Sequence, residues 1–250
     1  RWGRRSFVDL VEVIVSHHER AVVRLGDCYV KVESIPIKAQ REHDILEARP
    51  VPMPEVLWFR SGDPSVLALT EVRGRPLTDQ SSAASWRAAG RVVRSLHDSP
   101  VPDWDSWFDP AEVCRWIDFD RTWLVERRLL DRSLADEAYD RSTATLSARE
   151  VASTLTHRDL QAEHVYLDGD EVVGVIDWGD VGVGDPLYDI AVLTSRAHDR
   201  IPDLERGYGD VDREVLAAWW AERYLGEARW LVEHEYSPDE SLDQLAALMR

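Results

Sequence analysis

Between His157 and Asp180 the chain reads HRDLQAEHVYLDGDEVVGVIDWGD, and no other stretch restricts the fold as tightly. Two short runs, HVYLD and EVVGVID, are joined by Gly169-Asp170, which is the pattern of a β-hairpin. One carboxylate, Asp159, precedes the first run, and another, Asp177, ends the second. A hairpin brings both toward one end of a small sheet. A carboxylate at the end of a buried strand is costly unless it is paired, hydrogen-bonded or bound to a metal. It could instead cap the following turn through backbone amides. With eight histidines in the chain, His-x-Asp alone is weak, and the second Asp gives it weight. Two such carboxylates suit magnesium-dependent phosphoryl transfer, one holding the metal and the other orienting or deprotonating a hydroxyl.

The flanking sequence divides into two patterns. Residues 8–15, 21–25 and 28–33 are β-rich runs separated by SHHER and GD, and they predict an antiparallel meander. IPIKAQREHDILEA predicts an amphipathic helix with Ile35, Ile37, Ile45 and Leu46 among polar residues, and EVLWF and SVLALTEV predict two more strands. RGRPLTDQSS supplies turn residues and ends in Ser82, a good N-cap for AASWRAAGRVVRSLH. From residue 81 the periodicity is mainly helical, interrupted by the one hairpin. The expected fold is α+β: a small antiparallel-sheet N-lobe with one helix over residues 1–72, and a mainly helical C-lobe with the hairpin over residues 73–250.

All but two of the 30 basic side chains are Arg, so Lys31 and Lys38 stand out. Lys31 alternates with Val30 and Val32 in a strand, and phosphate oxygens are a natural partner for its point charge. A solvent-facing Lys on an edge strand is the plainer alternative. Glu42 on the next helix could hold it. The net charge of −17 argues against a nucleic-acid surface and favours a cationic small molecule. No apolar run approaches the ~20 residues of a membrane span, and the basic start is broken by Asp9 and Glu12, which leaves no secretory h-region. Cys28 and Cys114 read as buried thiols in a reducing compartment, so the expected location is the cytoplasm, as a monomer or homodimer.

The segments CYVKVES, REHDIL, LALTEVRGRPL, LTHRDLQAEHVYLD and VVGVIDWGDVGVGDPLYDIAVL occur in this order. Together they resemble the aminoglycoside phosphotransferase and choline kinase superfamily, small-molecule kinases with a bilobal protein-kinase-like fold. The resemblance implies a nucleotide-binding N-lobe and a catalytic, substrate-binding C-lobe. It implies that Lys31 contacts the phosphates of ATP or GTP, that Glu42 supports Lys31, and that Glu71 and Val72 form the hinge beside the purine. It makes Asp159 the catalytic carboxylate and Asp177 the principal ligand of Mg2+. Two positions depart from the family pattern. No Gly-rich phosphate loop is visible near SHHER, and His164 stands where a metal-binding Asn is usual. Magnesium prefers oxygen, so His164 could ligate through a neutral nitrogen, act through a metal-bound water, or bond to phosphate.

The expected activity is O-phosphorylation of a small molecule, an aminoglycoside-type antibiotic first, with Asp180, Glu233 and Glu235 as candidate acceptor contacts. A macrolide kinase, which resembles this chain at His164, and a choline- or homoserine-type metabolite kinase are the alternatives. A non-catalytic nucleotide-binding protein ranks below them, given Lys31, Asp159 and Asp177 together. A protein kinase fits less well, because DWGDVGVGDPLYDIAVL enters an apolar helix with no activation segment or Ala-Pro-Glu anchor. Trp219 and Trp220 are most simply core residues, and His157 a support for the loop backbone.

Overall fold

The computed structural model describes residues 11–16 and 20–250. The first expected strand therefore enters the description at Val11, and His17 and His18 of the expected first turn lie outside the described residues. Strands β1 (Val11–Ser16), β2 (Arg20–Leu25) and β3 (Cys28–Glu33) form the expected meander. Helix α1 (Pro36–Ala48) follows, then β4 (Val56–Arg60) and β5 (Ser65–Thr70). The five strands are antiparallel in the order β1-β2-β3-β5-β4, so β3 is the central strand and Lys31 is not on an edge.

Period-two alternation places Lys31 and Glu33 on one face of β3 and Val30 and Val32 on the other. The register sets Arg20 opposite Glu33, Val22 opposite Lys31 and Lys31 opposite Leu67. Leu67 and Leu69 are buried on this face and join one core with Ile45 and Leu46 of α1. Glu42 is buried on the same side of the helix as Ala39, Ile45 and Leu46. Ile37, expected to face inward, is 58% exposed, because the buried stripe of α1 runs through Ala39, Glu42, Ile45 and Leu46 instead.

The C-lobe contains β6 (Arg75–Pro76), α2 (Ala83–His97), α3 (Pro110–Glu126), α4 (Arg132–Leu146), β7 (Thr154–Thr156), β8 (Val165–Asp168) and β9 (Glu171–Val175). It continues with β10 (Gly182–Gly184), α5 (Pro186–Thr194), α6 (Ile201–Tyr208), α7 (Arg213–Glu233) and α8 (Asp239–Leu248). Side-chain oxygens cap the helix starts: Ser82 accepts from the Ser85 amide at 3.1 Å, and Asp109, Asp131, Asp185 and Asp212 do the same for α3, α4, α5 and α7. Each such cap is worth about 1 kcal/mol. The hairpin is β8-β9 as expected, but β6 adds a third strand to it and β7 pairs with β10. Strands of two or three residues have no readable period, so the single hairpin of the sequence becomes two small sheets.

Trp86, Trp178, Trp219 and Tyr224 are fully buried. Trp219 and Trp220 are core residues whose indole N–H groups donate to Asp185 Oδ2 at 2.9 Å and the Ala191 carbonyl at 3.0 Å. Helices α2 and α6 touch through glycines: a Cβ on Gly90 would stand 2.3 Å from the Leu204 carbonyl oxygen, and one on Gly207 2.0 Å from that of Arg87. Cys28 and Cys114 are free but only half-buried, against expectation, because one lies at the start of β3 and the other on the flank of α3. No described helix is long and apolar enough to cross a membrane.

Candidate active site

After β7 the chain turns through His157, Arg158 and Asp159, and a fully buried carboxylate holds that turn. Asp189 of α5 accepts the His157 amide at 2.7 Å, the Arg158 amide at 2.8 Å and His97 Nε2 at 3.1 Å. Arg158 sits at φ +68°, a left-handed conformation unfavourable for a residue with a Cβ, and its amide bond to Asp189 helps to keep it there. The Asp159 amide donates to His157 Nδ1 at 3.3 Å, so the imidazole proton resides on Nε2, which donates to the Ile176 carbonyl at 2.9 Å. Burial pushes the His157 pKa down and keeps the ring neutral. The Ile176 amide in turn donates to the His164 carbonyl at 3.0 Å. His157 thus braces the loop bearing Asp159 to the residue before Asp177.

Asp159, His164 and Asp177 each offer a ligand atom, and the three atoms lie within 4.8 Å of one another. Asp177 adopts φ +63°, and its side chain caps no amide, which sets aside the turn-cap alternative. Its Oδ1 instead accepts from Lys31 Nζ at 2.8 Å and Arg20 NH1 at 3.1 Å, and its Oδ2 lies 3.3 Å from the same Arg20 nitrogen. Lys31, only 8% exposed, also donates to Glu42 at 2.6 Å. Burial would lower the Lys31 pKa, but Glu42 and Asp177 outweigh it and hold the pKa above its usual value. Burial would raise the Asp177 pKa, but Lys31 and Arg20 hold it well below the carboxylate range.

His164 Nδ1 lies 2.7 Å from the Asp159 carbonyl. A carbonyl only accepts, so Nδ1 carries a proton, which leaves Nε2 as the ring nitrogen available to a metal. Two carboxylates and one imidazole nitrogen form a donor set that a divalent cation fits, with the carboxylates supplying the oxygen that magnesium prefers.

On the other side of Asp159, its Oδ1 accepts from Gln161 Nε2 at 3.0 Å and Arg223 NH2 of α7 at 3.3 Å. The neighbouring Glu222 has a buried Oε2 with no hydrogen-bond partner among the described residues. Burial, and then the nearby Asp120, push its pKa up to about 7. Asp120 of α3 is itself buried and accepts from Arg229 Nε at 2.5 Å.

The other expected residues are spread more widely. Asp180 accepts from Lys38 at 2.9 Å and lies 4.0 Å from Arg20, on the metal-cluster side of the site. Glu233 pairs with Arg229 at 2.6 Å, and Glu235 lies just beyond α7 at φ +65°. Glu71 accepts from Arg24 at 2.5 Å, and its own amide donates to the Asp27 carbonyl at 2.9 Å. Val72 makes no backbone hydrogen bond among the described residues. Glu71 and Val72 line a cavity of about 450 Å³ with Thr70, Gly74 and Val173.

Arg20, Arg223, Glu222 and Asp120 escaped the sequence reading. In a chain so rich in Arg, a single Arg carries little signal. Glu222 did offer one: it stands four residues after Ala218 and three after Trp219, an acid on the buried stripe of α7.

A family model described as the phosphotransferase enzyme family matches residues 9–231. Streptomycin 3''-kinase of Streptomyces griseus is 31% identical over 221 residues, covering 80% of this chain and 78% of that protein. Viomycin phosphotransferase of Streptomyces vinaceus is 26% identical over 187 residues, covering 66% and 65%. Among solved structures, a choline/ethanolamine kinase family protein from Mesorhizobium loti superposes with a TM-score of 0.75 at 19% identity, covering 98% of this chain and 90% of that one. With the family match running through the whole of the site, from Arg20 to Arg229, the chain belongs to the phosphotransferase enzyme family.

Proposed function

We propose that the protein transfers the γ-phosphoryl group of ATP or GTP to a hydroxyl of an aminoglycoside-type antibiotic, with Mg2+ as cofactor. The observation that carries this reading is the convergence of Asp159, His164 and Asp177, with Lys31 bonded to both Asp177 and Glu42. Asp177, with Nε2 of His164, would hold the metal, which when bound would neutralise charge on the phosphates. Lys31, kept protonated and fixed by Glu42, is placed to meet phosphate oxygens. Asp159 orients the acceptor hydroxyl and takes its proton, while Arg223 and Gln161 fix the carboxylate through one oxygen and leave the other for that work. The Val72 amide is the hinge donor toward the purine, because the Glu71 amide is already bonded.

The acceptor is assigned from charge and from kinship. A chain of net charge −17 attracts polycations, and the streptomycin kinase shares 31% of its residues over most of this sequence. Glu222 and Asp120, beside the Arg223 that holds Asp159, join Asp180, Glu233 and Glu235 as contacts for its ammonium groups. The cytoplasm, where nucleoside triphosphates are abundant, is the working compartment. The test is a coupled nucleotide-consumption assay with ATP and GTP over aminoglycosides, peptide antibiotics, macrolides and amino alcohols. Turnover stimulated by an aminoglycoside, with a phosphorylated product by mass spectrometry, is expected. Stimulation by an amino alcohol alone would transfer the assignment to a metabolite kinase, and nucleotide binding without turnover on any acceptor would refute catalysis.

A further inference from the structure

We propose that Arg20 is a ligand of the nucleotide's phosphate tail, and that in the empty enzyme it occupies Asp177 so that a lone metal ion is excluded. The inference rests on the kinase reading above and adds to it a residue with two states.

The placement follows from strand register. Arg20 opens β2 opposite Glu33, and Val22 lies opposite Lys31. Alternation therefore puts Arg20 on the face that bears Lys31, two residue pairs nearer the turn between β1 and β2. That turn is where a glycine-rich phosphate loop is missing from the sequence. From there the side chain crosses to the C-lobe and contacts Asp177 through NH1 at 3.1 and 3.3 Å, Asp180 at 4.0 Å and Glu33 at 3.4 Å. Room for it depends on Gly179, since a Cβ there would stand 2.5 Å from Arg20 NH2.

Asp177 has no oxygen free of a cation. Lys31 and Arg20 share Oδ1, and Arg20 also faces Oδ2. A divalent ion approaching the cluster needs one of those oxygens and meets two positive charges already there. The ion does not come alone in a kinase: it arrives with a triphosphate, the one new anion within reach of a displaced guanidinium. The planar fork of Arg matches two phosphate oxygens as well as it matches a carboxylate. Arg20 can therefore exchange Asp177 for phosphate as the metal takes its place, so that each anion keeps a cationic partner in both states.

This exchange makes two effects of opposite sign in one variant. In Arg20→Ala, the affinity for triphosphate measured calorimetrically in EDTA should fall about tenfold or more, as expected for loss of a charge-assisted fork. In the same protein, the affinity for Mn2+ without nucleotide, read by electron paramagnetic resonance, should rise at least about fivefold as a competing cation is removed. Arg20→Lys should give intermediate values for both. Adenosine or guanosine, which has no phosphate, should bind wild type and variants alike, and this shows that the nucleoside site is folded. Triphosphate affinity in EDTA equal to wild type, or Mn2+ affinity that fails to rise, overturns the role of Arg20. If the wild-type protein binds neither ATP nor GTP, the kinase reading falls and this proposal with it, whereas a wild type that binds and turns over beside an unaltered variant sinks the Arg20 proposal alone.

Discussion

Removing the carboxylate of Asp189 should unhinge the catalytic loop without touching any group that meets substrate. In Asp189→Ala the amides of His157 and Arg158 lose their acceptor, as does His97 Nε2. Leaving a buried donor unpaired costs about 1–3 kcal/mol. Two orphaned amides, less the desolvation of the lost carboxylate, give a net loss of about 3–5 kcal/mol, the range found when one partner of a buried charged network is deleted. For a chain of this length each kcal/mol moves the melting temperature by about 2–4 °C, so a fall of about 6–20 °C is expected. The strained φ of Arg158 also loses its restraint, so Asp159 should be misplaced in the surviving fold. Calorimetry gives the melting temperature, and steady-state assays at 15 °C, where the variant stays folded, give kcat. A drop in kcat of at least about 100-fold is expected there, since small misplacements of a reacting group have effects of that order. A melting temperature within 3 °C of wild type, or an unchanged kcat, would refute this account of the loop.

Glu222 gives a pH signature. Its folded pKa of about 7 lies above the ordinary 4.5, so the folded state binds more protons than the unfolded one between those values. Stability should therefore fall as pH rises through that window, by roughly 3 kcal/mol in all, and Glu222→Gln should remove the dependence in urea titrations at stepped pH. If the residue meets a cationic acceptor, the acceptor KM should also fall as pH rises through 7 in wild type and stay flat in the variant. His164→Asn exchanges an imidazole nitrogen for an amide oxygen, and half-saturation by Mg2+ should occur at lower concentration than in wild type relative to Mn2+, checked by metal titration of activity. Gly90→Ala forces α6 off α2, because the new Cβ meets the Leu204 carbonyl at 2.3 Å, and it should cost about 1–3 kcal/mol in denaturant unfolding.

The parts of the fold that could be read from sequence were those with a period longer than their noise. CYVKVE and SVLALT alternate over six residues, α2 and α7 carry long apolar stripes, and the GD turn marks the hairpin. The additional sheet partners β6, β7 and β10 span two or three residues and exist only because β8 and β10 lie beside them in space. At the site, Lys31 and Glu42 stood out through the scarcity of Lys and their position on adjacent elements. Arg20 and Arg223 were hidden by the abundance of Arg, and their meaning comes from tertiary reach: 157 residues separate Arg20 from Asp177, and 64 separate Arg223 from Asp159. Asp185, which no sequence pattern singled out, is a fully buried hub that caps α5 and binds Arg149 and Trp219.

The brace from His157 to Ile176 has a consequence for how the cleft can open. Because Asp159, His164 and Asp177 are cross-tied within the C-lobe, none of them can swing out alone, and any opening must carry the N-terminal sheet away as a unit. Arg20 and Lys31 travel with that sheet. Such an opening would break the ion pairs of Lys31 and Arg20 with Asp177 together with that of Lys38 with Asp180, so exposure of Asp177 and widening of the cleft would be one mechanical event.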